Sequence, residues 1–409
     1  MSNKFRDKDR LHKILEIDRD LDRIKDLDIL LERLLFLARK EARADAGTVY
    51  MHEGGELAFT HAQNDTLQGR LEPNEKLPYR YFTIPIDEKS ISGFVAKHEV
   101  FLNVPNMYAI DKHLPYNFNA SFDEITGYKT ISSLTFPLIT GENELLGVMQ
   151  LINAKKSKNT FIPFRDKDVP FFEVFARFAA KAIQRAKMTR NLLETISRFA
   201  CLRDPTETGA HVNRVGAYAM ELYETWAYKH AINAEEREKK KDSLRMVAML
   251  HDVGKVGISD IILKKPGKLT EQEYRIMQSH TWIGAAQFHD DSDLSTHAKE
   301  VTLHHHENWD GNGYPGNIDY EEVHDFSATP IHSGLKGEQI PLFARIVAIA
   351  DVYDALSSHR VYKEAWQEER ILAHIKSESG KKFDPELVEL FFPILPSIRN
   401  IQQRYTSKP

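Results

Sequence analysis

Asp351 stands inside the run ARIVAIADVYDAL, an almost wholly apolar helical segment. An unpaired carboxylate is not tolerated in such a place, so the chain must fold in a way that gives Asp351 a cationic partner. The second half of the sequence holds the candidates. Of 18 histidines, five precede residue 200 and thirteen follow it. A single cysteine leaves no disulfide framework and no multi-thiolate zinc site, so nitrogen and carboxylate donors are what remains.

Those donors fall into five constellations. In DPTETGAHVNRV, Asp204 and Pro205 open a helix on which Glu207 and His211, four residues apart, share a face. The bland alternative makes Glu207 part of a capping box. In MVAMLHDVGKVGI, the adjacent pair His251 and Asp252 ends an apolar helix ahead of Gly254 and Gly257, with Lys255 three residues on. Such a pair is costly to bury unless it is ionic or bound to metal. In LTEQEYRIMQSHTWIG, Thr270 and Glu273 form a capping box and His280 lies two to three turns into the helix. In EVTLHHHENWDGNGYPGN, His304, His305 and His306 occupy successive helical positions about 100° apart, so at most two neighbours serve adjacent metals. Asp310 to Gly313 then form a sharp turn ahead of Tyr314. The fifth is the Asp351 helix itself, with Asp354 nearly a turn later as a supporting group, and Arg360 and Lys363 beyond. Five imidazoles and three carboxylates exceed the need of one ion. A bridged centre of two or three metals is the physical reading, and its donors suit iron or manganese.

The first half reads differently. Half of the first 40 residues are charged, over an apolar seam of Ile14, Ile17, Leu21 and Ile24 that resumes at Leu31 and Leu35 after Asp28. This is a helix that packs on its own domain or forms a dimer seam. Residues 44–153 are β-branched and aromatic runs (GTVYMH, ELAFTHA, EVFLNV, SSLTFPLI, LLGVMQLINA) separated by turn residues, with ISGFVAKH as a short helix between them. An α+β sensor-like domain with an antiparallel sheet and flanking helices follows. Residues 170–202 form a long helix without internal Pro or Gly that can join two domains rigidly, and Cys201 near its end reads as a packing residue. From Arg203 onward the pattern is helical, with the charged stretch AEEREKKKDS near 234–243 expected in solvent. The net charge of -5 argues against wrapping of duplex nucleic acid. The N-terminus lacks an apolar signal core, and the best apolar runs fall far short of the roughly 20 residues a membrane span needs, so a cytoplasmic protein is expected.

Residues from about 190 to 400 resemble the HD-GYP family of cyclic-dinucleotide phosphodiesterases, within the HD hydrolase superfamily. The stretches that carry the likeness are LHDVGKVGISDIILKKPGKLT, HHENWDGNGYPG, GLKGEQIPL, ARIVAIADVYDALSSHRVYK and FDPELV. The resemblance implies an all-α helical domain with metal ligation by His211, His251, Asp252, His280, His305, His306 and Asp351. It aligns Glu207 with a further carboxylate that accompanies trinuclear iron sites in some members, and it places Lys255, Gly313, Tyr314, Arg360 and Lys363 where the family contacts substrate phosphate or guanine. An insertion from Asn317 to Ser333, with His324, Asp325 and His332, reads as a surface loop or a lid.

Residues 25–187 resemble a GAF domain. SISGFVAKHEVFLNVPN, ITGYKT, LTFPLI and ELLGVMQLINA look like its cyclic-nucleotide-binding subset. Asn153, Phe164 and Asp168 fit that subset's motif, while Ala154 and Val169 replace its Lys and Glu. The expected plan is an N-terminal helix (1–24), a GAF-like sensor (25–169), a connecting helix (170–202) and a catalytic HD-GYP domain (203–409). The expected activity is metal-dependent hydrolysis of cyclic di-GMP to linear pGpG, with further cleavage to GMP open. Asp252 and Lys255 are the catalytic candidates, and two or three divalent ions are the cofactors, iron ahead of manganese. The partners expected are the cyclic dinucleotide, an unknown small ligand or none at the GAF-like domain, and a second copy in a homodimer. The alternatives are hydrolysis of 3′,3′-cyclic GMP-AMP, a non-catalytic dinucleotide receptor and, last, a diiron oxygenase on an HD scaffold.

Overall fold

The computed structural model describes residues 2–71, 82–157, 160–201, 209–318, 334–358 and 365–405, with the backbone alone for 2–11, 200 and 201. Two compact units divide between Thr189 and Arg190. That division falls within the helix expected to connect them, which runs Val169–Cys201.

In the first unit the single N-terminal helix of the sequence reading is two. Helix α1 (Ser2–Asp22) ends before Asp26, whose carboxylate accepts the backbone N–H groups of Asp28 and Ile29 and so starts α2 (Leu27–Ala42). A seven-stranded antiparallel sheet follows. It comprises β1 (Ala44–Glu53), β2 (Glu56–Asn64), β3 (Thr83–Pro85), β4 (Leu102–Val104), β5 (Ser133–Ile139), β6 (Leu145–Ser157) and β7 (Thr160–Ile162). Their order is β3-β2-β1-β6-β5-β4, with β7 also on β6. Short helices α3 (Asp65–Gln68), α4 (Ile91–His98) and α5 (Ser121–Thr126) sit in the connections.

Strand alternation divides this unit into two environments. Val49 and Met51 of β1 join a core with Ile14, Leu21, Leu31 and Leu35 of α1 and α2, and with Phe172, Phe175 and Ile183 of α6 (Val169–Cys201). The apolar seam of the first helices is therefore buried within its own unit. Thr48 and Tyr50, the alternate residues of β1, line a cavity of about 890 Å³ with Phe59, Phe118, Tyr128 and Gln150.

The described part of the second unit is helical. It contains α7 (Gly209–Lys229), α8 (Ala234–Val247), α9 (Asp260–Leu263), α10 (Glu271–Gln278), α11 (His280–Ala285), α12 (Asp293–His304), α13 (Leu342–Ser357), α14 (Glu368–Ser377), α15 (Pro385–Phe391) and α16 (Leu395–Arg404). Val215, Tyr218 and Leu222 of α7 pack with Ile346, Val347 and Ala350 of α13 at the centre of its largest core. The charged stretch 234–243 is the start of α8 rather than a solvated connection. Lys241 there is 1% exposed and pairs with Glu224 of α7 at 3.2 Å. Its long aliphatic stem joins the packed face while the ammonium meets a carboxylate.

Candidate metal centre

Five segments deliver the donors, and each does so for a local reason. His211 lies in the first turn of α7. After α8 a 3₁₀ turn at Ala248–Leu250 leads to His251 and Asp252, and a second at Val253–Gly257 carries Lys255. Gly254 permits that second turn to approach α11, because a Cβ there would overlap the His280 carbonyl oxygen and stand 2.9 Å from the Gly284 Cα. The expected capping box of Thr270 and Glu273 is present, but its helix stops at Gln278. His280 therefore begins a new helix instead of continuing the old one. Helix α12 ends at His304, His305 caps it with its N–H still on the Val301 carbonyl, and the neighbouring rings of His305 and His306 lie with centroids 4.1 Å apart. His304 stays aside, with Nδ1 3.6 Å from Glu307 Oε1.

The donor atoms form two groups, each with all its atoms within 4.8 Å of one another. Asp252, His280, His305 and His306 make one; His211, His251 and Asp351 make the other. Asp252 lies between them. Its Oδ1 is 3.2 Å from His280 Nε2 and 3.6 Å from His305 Nε2, while its Oδ2 is 3.1 Å from His251 Nε2 and 2.8 Å from Lys255 Nζ. Asp351 Oδ1 is 3.6 Å from His211 Nε2 and 3.9 Å from His251 Nε2.

The imidazoles fit a cation. Nδ1 of His251, His280 and His305 lies 2.7–3.1 Å from main-chain carbonyl oxygens of Ala248, Met277, and Val301 and Thr302. A carbonyl only accepts, so the ring proton sits on Nδ1 and Nε2 presents a lone pair inward. Nε2 of His280 and of His305 is buried without a hydrogen-bond partner among the described residues, which is costly unless an ion is there. Burial, followed by the neighbouring imidazoles, pushes His306 well below the ordinary value of 6.5; burial likewise lowers His305. Both are therefore held in the neutral form that ligates metal.

Other residues of the sequence reading fall around this centre. Tyr314 is half-buried, its ring 4.9 Å from that of His306 and its N–H on the His306 carbonyl at 3.2 Å. Gly313 packs so closely that a Cβ would stand 2.5 Å from the Glu307 Cα, so the visible reason for glycine is backbone packing. Glu207, Arg360 and Lys363 lie outside the described residues, as does all but the start of the 317–333 insertion. In the first unit, Asn153, Phe164 and Asp168 do not line the cavity. The Asn153 side chain accepts from Ile131 and Ser132 N–H and donates to Tyr128 and Lys129; Phe164 is in the core, and Asp168 pairs with Arg165 at 2.6 Å.

Two supporting residues escaped the sequence reading. Glu307 accepts the N–H of Gly316 at 2.6 Å and of Leu335 at 2.9 Å, tying together the two ends of the insertion. Arg214 forks onto Asp354 with Nε–Oδ1 2.6 Å and Nη2–Oδ2 2.8 Å. Burial drives the Asp354 carboxyl up, but Arg214 and His211 outweigh it and hold it down at about 2. A charged residue one turn beyond His211 was the available signal for Arg214; nothing marked Glu307 as a clamp.

Comparison with known proteins places these units in families. Residues 194–387 match the HD domain model and residues 26–183 the GAF domain model. The chain thus carries a GAF domain followed by a helical HD domain. A Vibrio cholerae protein named cyclic di-GMP phosphodiesterase is 41% identical over 215 residues, covering 51% of this chain and 40% of that protein. A Thermotoga maritima protein of the same name is 36% identical over 214 residues, 52% of this chain and 51% of that one. The Vibrio cholerae protein named 3′3′-cGAMP-specific phosphodiesterase 2 is 40% identical over 185 residues, 45% of this chain and 31% of that one. The chain thus spans about half or less of the length of these relatives. Among the described residues no helix is long and apolar enough to cross a membrane.

Proposed function

We propose that this chain, with its GAF domain ahead of an HD domain, is a metal-dependent phosphodiesterase that hydrolyses cyclic di-GMP to linear pGpG, with GMP as a further product open. The observation that carries the reading is Asp252, set between two groups of donors with one oxygen toward each and Lys255 beside it. The names of the relatives support the substrate class.

A phosphodiester is anionic and its phosphorus is shielded, so the reaction needs a strong nucleophile and charge neutralisation. When bound, divalent ions supply both, through Lewis acidity and an acidified water. Iron ahead of manganese suits a donor set of imidazoles and carboxylates without thiolate. His211, His251, Asp252, His280, His305, His306 and Asp351 would hold them, and Glu207 would serve a third ion. Lys255, restrained by Asp252 at 2.8 Å, offers its ammonium to charge building on the phosphoryl oxygens. Tyr314 presents a ring to a base, while Arg360 and Lys363 supply a planar fork and a point charge for phosphate or guanine.

The GAF unit regulates this chemistry, with its 890 Å³ cavity as the place for a small ligand. The chain works as a homodimer in the cytoplasm. Leu192, Ile196 and Phe199, at spacings of four and three on α6, are 45–63% exposed and supply a seam for a second copy. The single cysteine suits a reducing compartment.

The test is anaerobic purification, metal analysis and an assay against cyclic di-GMP, 3′,3′-cyclic GMP-AMP and linear pGpG. Faster turnover of cyclic di-GMP supports the reading. Preference for 3′,3′-cyclic GMP-AMP favours the alternative that one relative's name supplies, and no turnover of either defeats both.

A further inference from the structure

We infer that Asp354 is a positioning residue that makes the His211, His251 and Asp351 group the more tightly held of two cation positions. The inference rests on reading the seven clustered side chains as a metal centre.

The rings differ in what accepts their Nδ1 proton. His251, His280 and His305 each donate to neutral main-chain carbonyls. His211 instead donates to a carboxylate, Asp354 Oδ2, at 2.8 Å. An anionic acceptor draws the Nδ1 proton, enriches the ring and makes its Nε2 a stronger donor. That Nε2 faces Asp351 Oδ1 at 3.6 Å, so the enriched ring serves the three-residue group and not the group of Asp252.

Asp354 cannot turn away from this task. It is 0% exposed, and the Arg214 fork fixes the plane of its carboxylate. Arg214 is itself anchored on the Tyr405 carbonyl and Ser358 Oγ, both at 2.9 Å. Asp354 also lies nearly one turn beyond Asp351 on α13, so ligand and support share one rigid element. The asymmetry is built into the chain, since a carboxylate supports one ring of the three-residue group, whereas His280 and His305 of the Asp252 group rest on neutral main-chain carbonyls.

The experiment loads the full-length protein with Mn²⁺ and measures ions per chain against free Mn²⁺ for the wild type, Asp354→Asn and Arg214→Lys, beside metal-free thermal melts. The wild type should fill two positions of unequal affinity. Asp354→Asn should weaken the tighter step at least tenfold and leave the other within about twofold. Arg214→Lys keeps the Asp354 charge on His211, so it should keep both steps even though it melts lower. Unchanged binding steps in Asp354→Asn, or losses in both variants that simply follow melting temperature, would overturn the inference. If Asp354→Asn does not fold, Asp354→Ser takes its place, a neutral acceptor for the Nδ1 proton, with the same one-sided weakening expected and unchanged binding steps as the contrary result. A wild type that binds no Mn²⁺ would remove the underlying metal-centre reading itself.

Discussion

Gly254 meets the backbone of α11 at Gly284, and through that contact the turn bearing Asp252 reaches His280. A Cβ on Gly254 would overlap the His280 carbonyl, and one on Gly284 would stand 3.1 Å from the Gly254 N. Backbone atoms cannot step aside as a flexible side chain can. Gly254→Ala should therefore destabilise the HD unit by about 1–3 kcal/mol or more, the cost of overpacking, and reduce bound metal with it. Thermal unfolding and metal analysis of the purified variant check both; a wild-type melt and full metal content would contradict the geometry.

Glu307 holds the N–H groups of Gly316 and Leu335 with its two oxygens and is 2% exposed. Glu307→Gln puts an amide donor where an acceptor is needed, at a cost of about 1–3 kcal/mol for the unmatched buried group. Hydrogen exchange should speed up at Gly316 or Leu335, and unchanged protection at both would show that the clamp is dispensable.

The pH dependence of stability has a defined sign at His297. Burial pushes its imidazole below the ordinary 6.5, against the raising influence of Asp293. The unfolded chain then binds the proton more readily than the folded one, so stability rises with pH in this range. What His297 contributes is present above pH 6.5 and lost as the pH falls below it. Denaturant midpoints of metal-free protein should drop between pH 7.5 and 5.5, and drop less in His297→Gln. Parallel curves would rule this residue out as the cause.

The proposed dimer seam on α6 gives another check. Leu192→Glu with Phe199→Glu should shift the protein from dimer to monomer in sedimentation, because two exposed apolar positions would become like charges facing each other. A monomeric wild type, or a double variant that stays dimeric, would exclude the seam.

Much of the fold lies open in residue patterns. The strands of the first unit, the short helix at ISGFVAKH (now α4, Ile91–His98) and the Thr270–Glu273 box follow from local chemistry. Asp351 announced a need for partners because a carboxylate on an apolar helix is too costly to leave unpaired. Local patterns failed where distant contacts decide. At the break before His280 the Ser279 hydroxyl donates to the Ile276 carbonyl at 2.6 Å, and the new helix lies against the turn at Gly254. The run His304 to His306 is an exception, since its spread of about 100° per residue lets neighbours but not all three converge, and His305 and His306 share one donor group. Arg214 and Asp354 are 140 residues apart, a pairing that no single-sequence periodicity encodes. Lys241 looked solvated among seven other charges in its stretch, yet Glu224 of the neighbouring helix makes its burial tolerable.

Asp252, between two groups of donors, is the residue on which the proposed cleavage of a cyclic dinucleotide depends. The decisive comparison sets wild type against Asp252→Asn, both incubated with the same metal and with matching folded-state spectra, for conversion of cyclic di-GMP to its linear form. Loss of at least about 100-fold in turnover, together with reduced metal content, is the expected result, since a carboxylate support and a link between donor groups vanish together. Undiminished turnover by a folded, metal-replete Asp252→Asn protein would refute this role for Asp252.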